Sequence, residues 1–164
     1  MTEKDKKLLM NDLCARLQYG VKMKAKEPLY GYDITVIPHS LLDLDCFDCH
    51  TEDFKYEQSF GLENMTPYLR PISSMTEEET DMLFNILHID KDGKDDDWIK
   101  INNEGIKFFF PNGKWIENVI EAYDYLNSIH IDYRGLIAKK LALEAPEGMY
   151  NLNKNIPEEE KAQI

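Results

Sequence analysis

No stretch of this sequence approaches the roughly 18 consecutive apolar residues needed to cross a bilayer, which leaves no reading as a membrane-spanning helix. Cysteine is scarce: three in 164 residues, an odd number that does not make a disulfide framework. The eight glycines are scattered, so the chain spells no phosphate cradle and gives nucleotide binding no support. Cations are short as well, with 19 against 31 carboxylates and a net charge of −12. Direct contact with nucleic acid or an anionic membrane needs a dense positive surface, and only residues 1–27 carry a small cationic excess. The charged start, MTEKDKKLLMNDL, does not read as a secretory signal, so the expected compartment is the cytoplasm, with reduced thiols.

What is present suits a globular protein. Apolar residues make up 43% of the chain and aromatics 11%, enough for an ordinary buried core. The length fits one domain or two small subdomains sharing a core.

Residues 4–17 place Leu8, Leu9, Leu13, Cys14 and Leu17 on the stripe of an amphipathic helix that Gly20 would stop. Residues Val21 to Lys26 alternate apolar and basic, as a half-buried strand does. Tyr32 to Pro38 reads as a second strand and residues 39–47 as a third, before a polar, turn-like stretch over 48–58. Phe60 and Leu62 suggest one more short strand. The clearest boundary follows, TPYLRPISSMTEEE, where two prolines bracket an extended segment and Thr76 with Glu79 spells a capping box. The helix after it should bury Met82, Leu83, Ile86 and Leu87. Beyond an aspartate-rich loop, Trp98–Ile101 and Ile106–Phe110 look like a hairpin. A helix opening at Trp115 should present Val119, Tyr123, Leu126 and Ile129 inward, and Asp132 should cap a last one through Leu141.

These readings predict an α+β fold: an N-terminal helix with a small antiparallel sheet, then a mainly helical C-terminal half with one β-hairpin. The expected division is 1–65, helix plus sheet, and 66–164, mainly helical with the hairpin at 98–110, forming one compact unit.

Several motifs invite a sharper function. Cys46-Phe-Asp-Cys49-His50 has the C-x-x-C-H spacing of c-type haem attachment, a chemistry that takes place outside the cytoplasm. Cys46, Cys49 and His50 would also supply part of a tetrahedral zinc site, although the second ligand pair of a structural zinc site is missing. A redox thiol is disfavoured because Cys49 does not open a helix. His88-Ile-Asp-Lys-Asp92-Gly93 resembles the heart of a calcium loop, but the loop's first and last positions fall on His88 and Ile99, which are wrong for an EF-hand. Ser73-Ser74 lacks the nucleophile elbow, and His130 follows an apolar helix face, as a core or capping histidine does. No cofactor is implied. In Asp132-Tyr133-Arg134 the arginine is expected to pair with a neighbouring carboxylate.

TPYLRPISSMTEEE and the later EAYDYLNSIHIDYRGLIAKKLALEAPEGMYN together resemble a group of small uncharacterised proteins encoded by phages and other mobile elements of gut bacteria. In that group a "PYLRP-SSMTEEE" segment precedes a "DYRGLI…LALEAPEGMY" ending. The resemblance covers about 45 of the 164 residues and implies a genetic setting without an activity. Neither the CFDCH string nor the aspartates of 90–97 belongs to the pattern.

The sequence therefore predicts a cytoplasmic, non-enzymatic protein that binds another protein, with Tyr68, Leu69, Arg70, Tyr133 and Arg134 as candidate contacts. The proline-framed segment suits an interface and equally suits packing between the two halves. Two alternatives stand beside this: an acidic DNA mimic that occupies a nucleic-acid-binding host protein, and a metal- or thiol-dependent protein using Cys46, Cys49 and His50.

Overall fold

A computed structural model describes residues 1–27, 29–89, 99–102, 105–108 and 118–150. Helix α1 spans Glu3–Arg16 and opens on a capping box: Thr2 Oγ1 accepts from the Asp5 amide while Asp5 Oδ2 accepts from the Thr2 amide. A 3-10 turn at Leu17–Tyr19 ends at Gly20, whose left-handed φ of 66° lets its N–H return to the Leu17 carbonyl. The stop falls where the sequence placed it. The buried face differs, because Leu9, Asp12, Leu13 and Arg16 point inward while Cys14 is exposed.

Strand β1, Met23–Lys26, buries Met23 and Ala25 and leaves its lysines on the other side. Strand β2 runs Asp33–Asp43, so the two strands expected over 32–38 and 39–47 are largely one. Register shifts between Pro38 and Ser40 and between Leu41 and Asp43 let the strand run on past Pro38, where the first of the two was expected to end. Strands β3, Cys46–His50, and β4, Glu57–Gly61, take the two ends of the stretch expected to be turns, and its middle, 51–56, is the turn that joins them. Their outward positions are polar because one face of this hairpin is wet, and polarity alone does not argue against a strand.

The proline-framed segment is itself a strand, β5, Met65–Leu69, paired with β1. Tyr68 donates to the Lys22 carbonyl, so Pro67 and Met23 form the adjacent pair in which neither residue bonds across the ladder. A proline there removes no bond to β1. Helix α2, Glu77–Ile86, begins with the Thr76–Glu79 box as expected. The hairpin is present as β6, Ile99–Asn102, and β7, Gly105–Phe108, and helix α3 spans Val119–Ser128. Trp98, Phe109, Phe110, Trp115 and the aspartates of 90–97 lie outside the described residues.

The expectation of a small antiparallel sheet followed by a mainly helical C-terminal half is overturned. A last strand, β8, Leu143–Glu144, pairs parallel to β5, making one mixed six-stranded sheet in the order β4-β3-β2-β1-β5-β8. The helix expected from Asp132 to Leu141 is a run of turns. Asp132 does cap, accepting from the Leu136 and Ile137 amides, but Gly135 and Lys140 both take positive φ, which stops the helix from propagating. From Ile129 onward the chain returns to the sheet: Arg70 and Ile131 form a parallel bridge, and the Ala145 amide donates to the Leu69 carbonyl.

Two apolar clusters result. One packs α1 on the sheet and takes Leu69, Leu136 and Ala142 from beyond residue 65; the other gathers Leu83, Leu87, Ile106, Leu126 and Ile131.

Candidate protein-binding groove

An open groove of about 1050 Å³ lies between α2 and the segment after β8. Local rules put its walls there. On α2, Glu78 and Met82 stand one turn apart and so share a stripe, and both line the groove. Opposite them stand Glu144, Pro146 and Glu147. Pro71, Tyr125 and Ile129 add apolar surface between the walls. Met82 is 51% exposed, although the helical pattern had placed it in the core.

Among the described residues Arg70 is the groove's one cation, and its charge is already matched. Its guanidinium meets both Glu79 carboxylate oxygens, at 2.7 and 2.9 Å, in the bidentate geometry that makes the strongest ion pairs. The same group donates to the Ser74 and Ile129 carbonyls, so Arg70 joins α2 to the end of α3. Among the described residues, Glu78, Glu144 and Glu147 form no ion pair. The groove is apolar inside and negative at the rim.

The other candidate contacts lie elsewhere. Leu69 and Tyr133 are buried, and Tyr68 is half-buried, its carbonyl accepting from the Tyr150 hydroxyl at 2.7 Å. That hydroxyl also accepts from the Lys22 amide, so Tyr150 ties the chain after β8 to the sheet. Tyr68 and Arg70 thus meet Tyr150, Ile129 and His130, which brings the 66–79 and 121–150 stretches together in space.

Arg134 finds its carboxylate on the first helix: Nε lies 3.1 Å from Asp12 Oδ1. Asp12 and Arg16 form a fully buried pair one turn apart, and Arg16 Nη2 donates to the Ile131 carbonyl at 2.9 Å. Both guanidinium carbons sit near the Tyr133 ring, at 5.4 and 5.0 Å from its centroid, within cation–π range. This network binds α1 to the turns after α3 and is closed to solvent at its centre. Asp12 and Arg16 escaped sequence reading because charged residues were assigned to the wet face. The available signal was their spacing on the line that also holds Leu9 and Leu13.

The Cys46-Cys49-His50 segment is strand β3, and residues three apart on a strand point to opposite faces. Phe47 and Cys49 face the core, where Cys49 Sγ contacts Met65 Sδ at 3.7 Å and burial pushes the thiol up to about 12. Cys46 and His50 face the other way, with the His50 ring stacked on Phe54 at 4.1 Å. Among the described residues no three His, Cys, Asp or Glu side chains are grouped to hold a metal ion. His130 is buried at a positive φ of 57°, stacked on Tyr150 at 3.8 Å. Burial first, then the charges of Arg16 and Arg70, bring it down to about 3, so it is neutral near pH 7.

No family model, no curated protein and no solved structure matches the chain. Among the described residues no helix is long and apolar enough to cross a membrane.

Proposed function

We propose that this chain is a cytoplasmic, non-enzymatic protein-interaction protein that receives its partner in the groove between α2 and the segment after β8. In the genetic setting implied by the resemblance to phage and mobile-element proteins, the partner is a host or element protein. One observation carries the reading: Met82 lies half in solvent beside Pro71, Tyr125 and Ile129, with Glu78, Glu144 and Glu147 around them in no ion pair among the described residues. A contiguous apolar patch with a polar rim is the ordinary anatomy of an interface, with a dry centre and a wet edge.

The candidate contacts contribute unequally to it. Arg70 lines the groove but is fixed by Glu79, while Tyr133 and Arg134 lie outside it, in the network that holds α1. The test is affinity capture from host cells, run in parallel with the wild type and Met82→Asp. A partner retained by the wild type and lost by the variant is expected. If the variant retains every protein that the wild type does, the groove is not the binding site.

A further inference from the structure

The groove's shape and charge select among partner chemistries. Resting on the function just proposed, we infer that its occupant is a basic amphipathic helix of a partner protein, with apolar residues seated on Met82 and lysines or arginines set against Glu78, Glu144 and Glu147.

Three observations lead there. First, among the described residues the one groove cation is bonded bidentately to Glu79, so an acidic peptide or a nucleic acid would meet three carboxylates there and no free positive charge from those residues. A cationic partner meets complementary charge instead. Second, the sheet edge beside the groove is only Leu143–Glu144. Two residues offer too short a ladder for an added strand, whose affinity comes from repeated main-chain bonds. The partner is held by its side chains. Third, one wall is the Glu78–Met82 ridge of α2, and ridges of that spacing fit between the side-chain rows of a second helix.

The contributions differ in kind. Apolar contact with Met82 supplies most of the affinity, as anchors at interface centres do. The rim carboxylates are exposed, so they set selectivity and association rate and weaken as salt rises.

The probe is a synthetic Leu/Lys amphipathic helix of about 18 residues, roughly five turns, compared with a scrambled peptide of identical composition. Binding to the full chain is measured by fluorescence anisotropy at about 50 and 300 mM salt. The proteins are the wild type, Met82→Asp, the double variant Glu144→Lys/Glu147→Lys, and a control, Glu57→Lys/Glu63→Lys, with the same charge change at the opposite edge of the sheet. Circular dichroism and thermal melting check that each variant is folded. We expect the wild type and the control to prefer the helical peptide by about tenfold or more, Met82→Asp to lose that preference, and the groove double variant to lose both affinity and salt dependence. Equal binding of the two peptides, equal binding by groove and control variants, or no binding of the helix to the wild type each overturns the inference. A host partner that Met82→Asp fails to capture, found together with no binding of the helical peptide, would leave the groove function standing and remove only the helical occupant.

Discussion

Arg16 donates to Asp12 through Nε and Nη2, at 2.8 and 3.2 Å, and neither side chain reaches solvent. A pair this deeply buried gains little net stability by forming, yet removing Asp12 takes the bonded carboxylate from the buried Arg16 and from Arg134 as well. Asp12→Ala should therefore destabilise the fold by about 3–5 kcal/mol in urea unfolding. Replacing both, Asp12→Leu with Arg16→Met, should recover most of that loss. A single variant as stable as the wild type would mean that the pair does not hold α1 in place.

Gly105 is fixed by a close approach. A Cβ there would stand 2.5 Å from the Tyr133 carbonyl oxygen, at a φ of 139° that side chains rarely adopt. The neighbouring Ile106 amide donates to that same oxygen, docking the β6–β7 hairpin on the turn after α3. Gly105→Ala should cost roughly 1–3 kcal/mol and speed hydrogen exchange at Ile106, while amides of the β2–β3 ladder keep their protection. Unchanged exchange at Ile106 would contradict this docking.

His130 predicts a pH dependence with a definite sign. Its folded value, about 3, lies below the ordinary 6.5, so between those values the unfolded chain takes up a proton that the folded chain refuses. Stability is complete above pH 6.5 and falls on acidification toward pH 3, by up to about 1.4 kcal/mol per pH unit. Asp132 runs the other way: burial raises it, so its contribution is complete below 3.8 and is lost as the pH rises through its folded value. His130→Asn keeps a residue that tolerates positive φ and should flatten the acid limb of the stability profile between pH 6.5 and 3. An unaltered profile in the variant would assign that limb to other groups.

The three thiols should separate kinetically. Cys14 is exposed, Cys46 is partly covered, and Cys49 is buried and pushed up to about 12. With Ellman's reagent near pH 8, Cys14 should react first, Cys46 more slowly, and Cys49 only once the chain is unfolded. Equal rates for Cys46 and Cys49 would contradict their placement on opposite faces of β3.

Local chemistry was legible in the sequence and long-range pairing was not. Thr76 and Glu79 announced α2, and Gly20 announced the end of α1, because each signal acts within four residues. The last strand was hidden: Leu143 and Glu144 show no period over two residues, and only their pairing with Tyr68 and Leu69 makes them a strand. Asp132 was read as a cap and is one, yet what it caps depends on Gly135 and Lys140 turning left-handed. The groove followed the same logic. Met82 has core chemistry at a core-like spacing, and what leaves it in the open is the distance between α2 and the segment after β8, a relation that no helical pattern encodes.

The strand order carries a consequence for synthesis. Strands β1 to β4 pair with their sequence neighbours, but the other flank of β1 is covered only by β5, about forty residues later. While a ribosome is still translating that interval, Met23, Lys24 and Ala25 offer an unsatisfied main-chain rim to any extended polypeptide nearby. A polypeptide ending before Met65 should consequently clump, visible as rising light scatter, whereas one that includes Leu69 should stay clear.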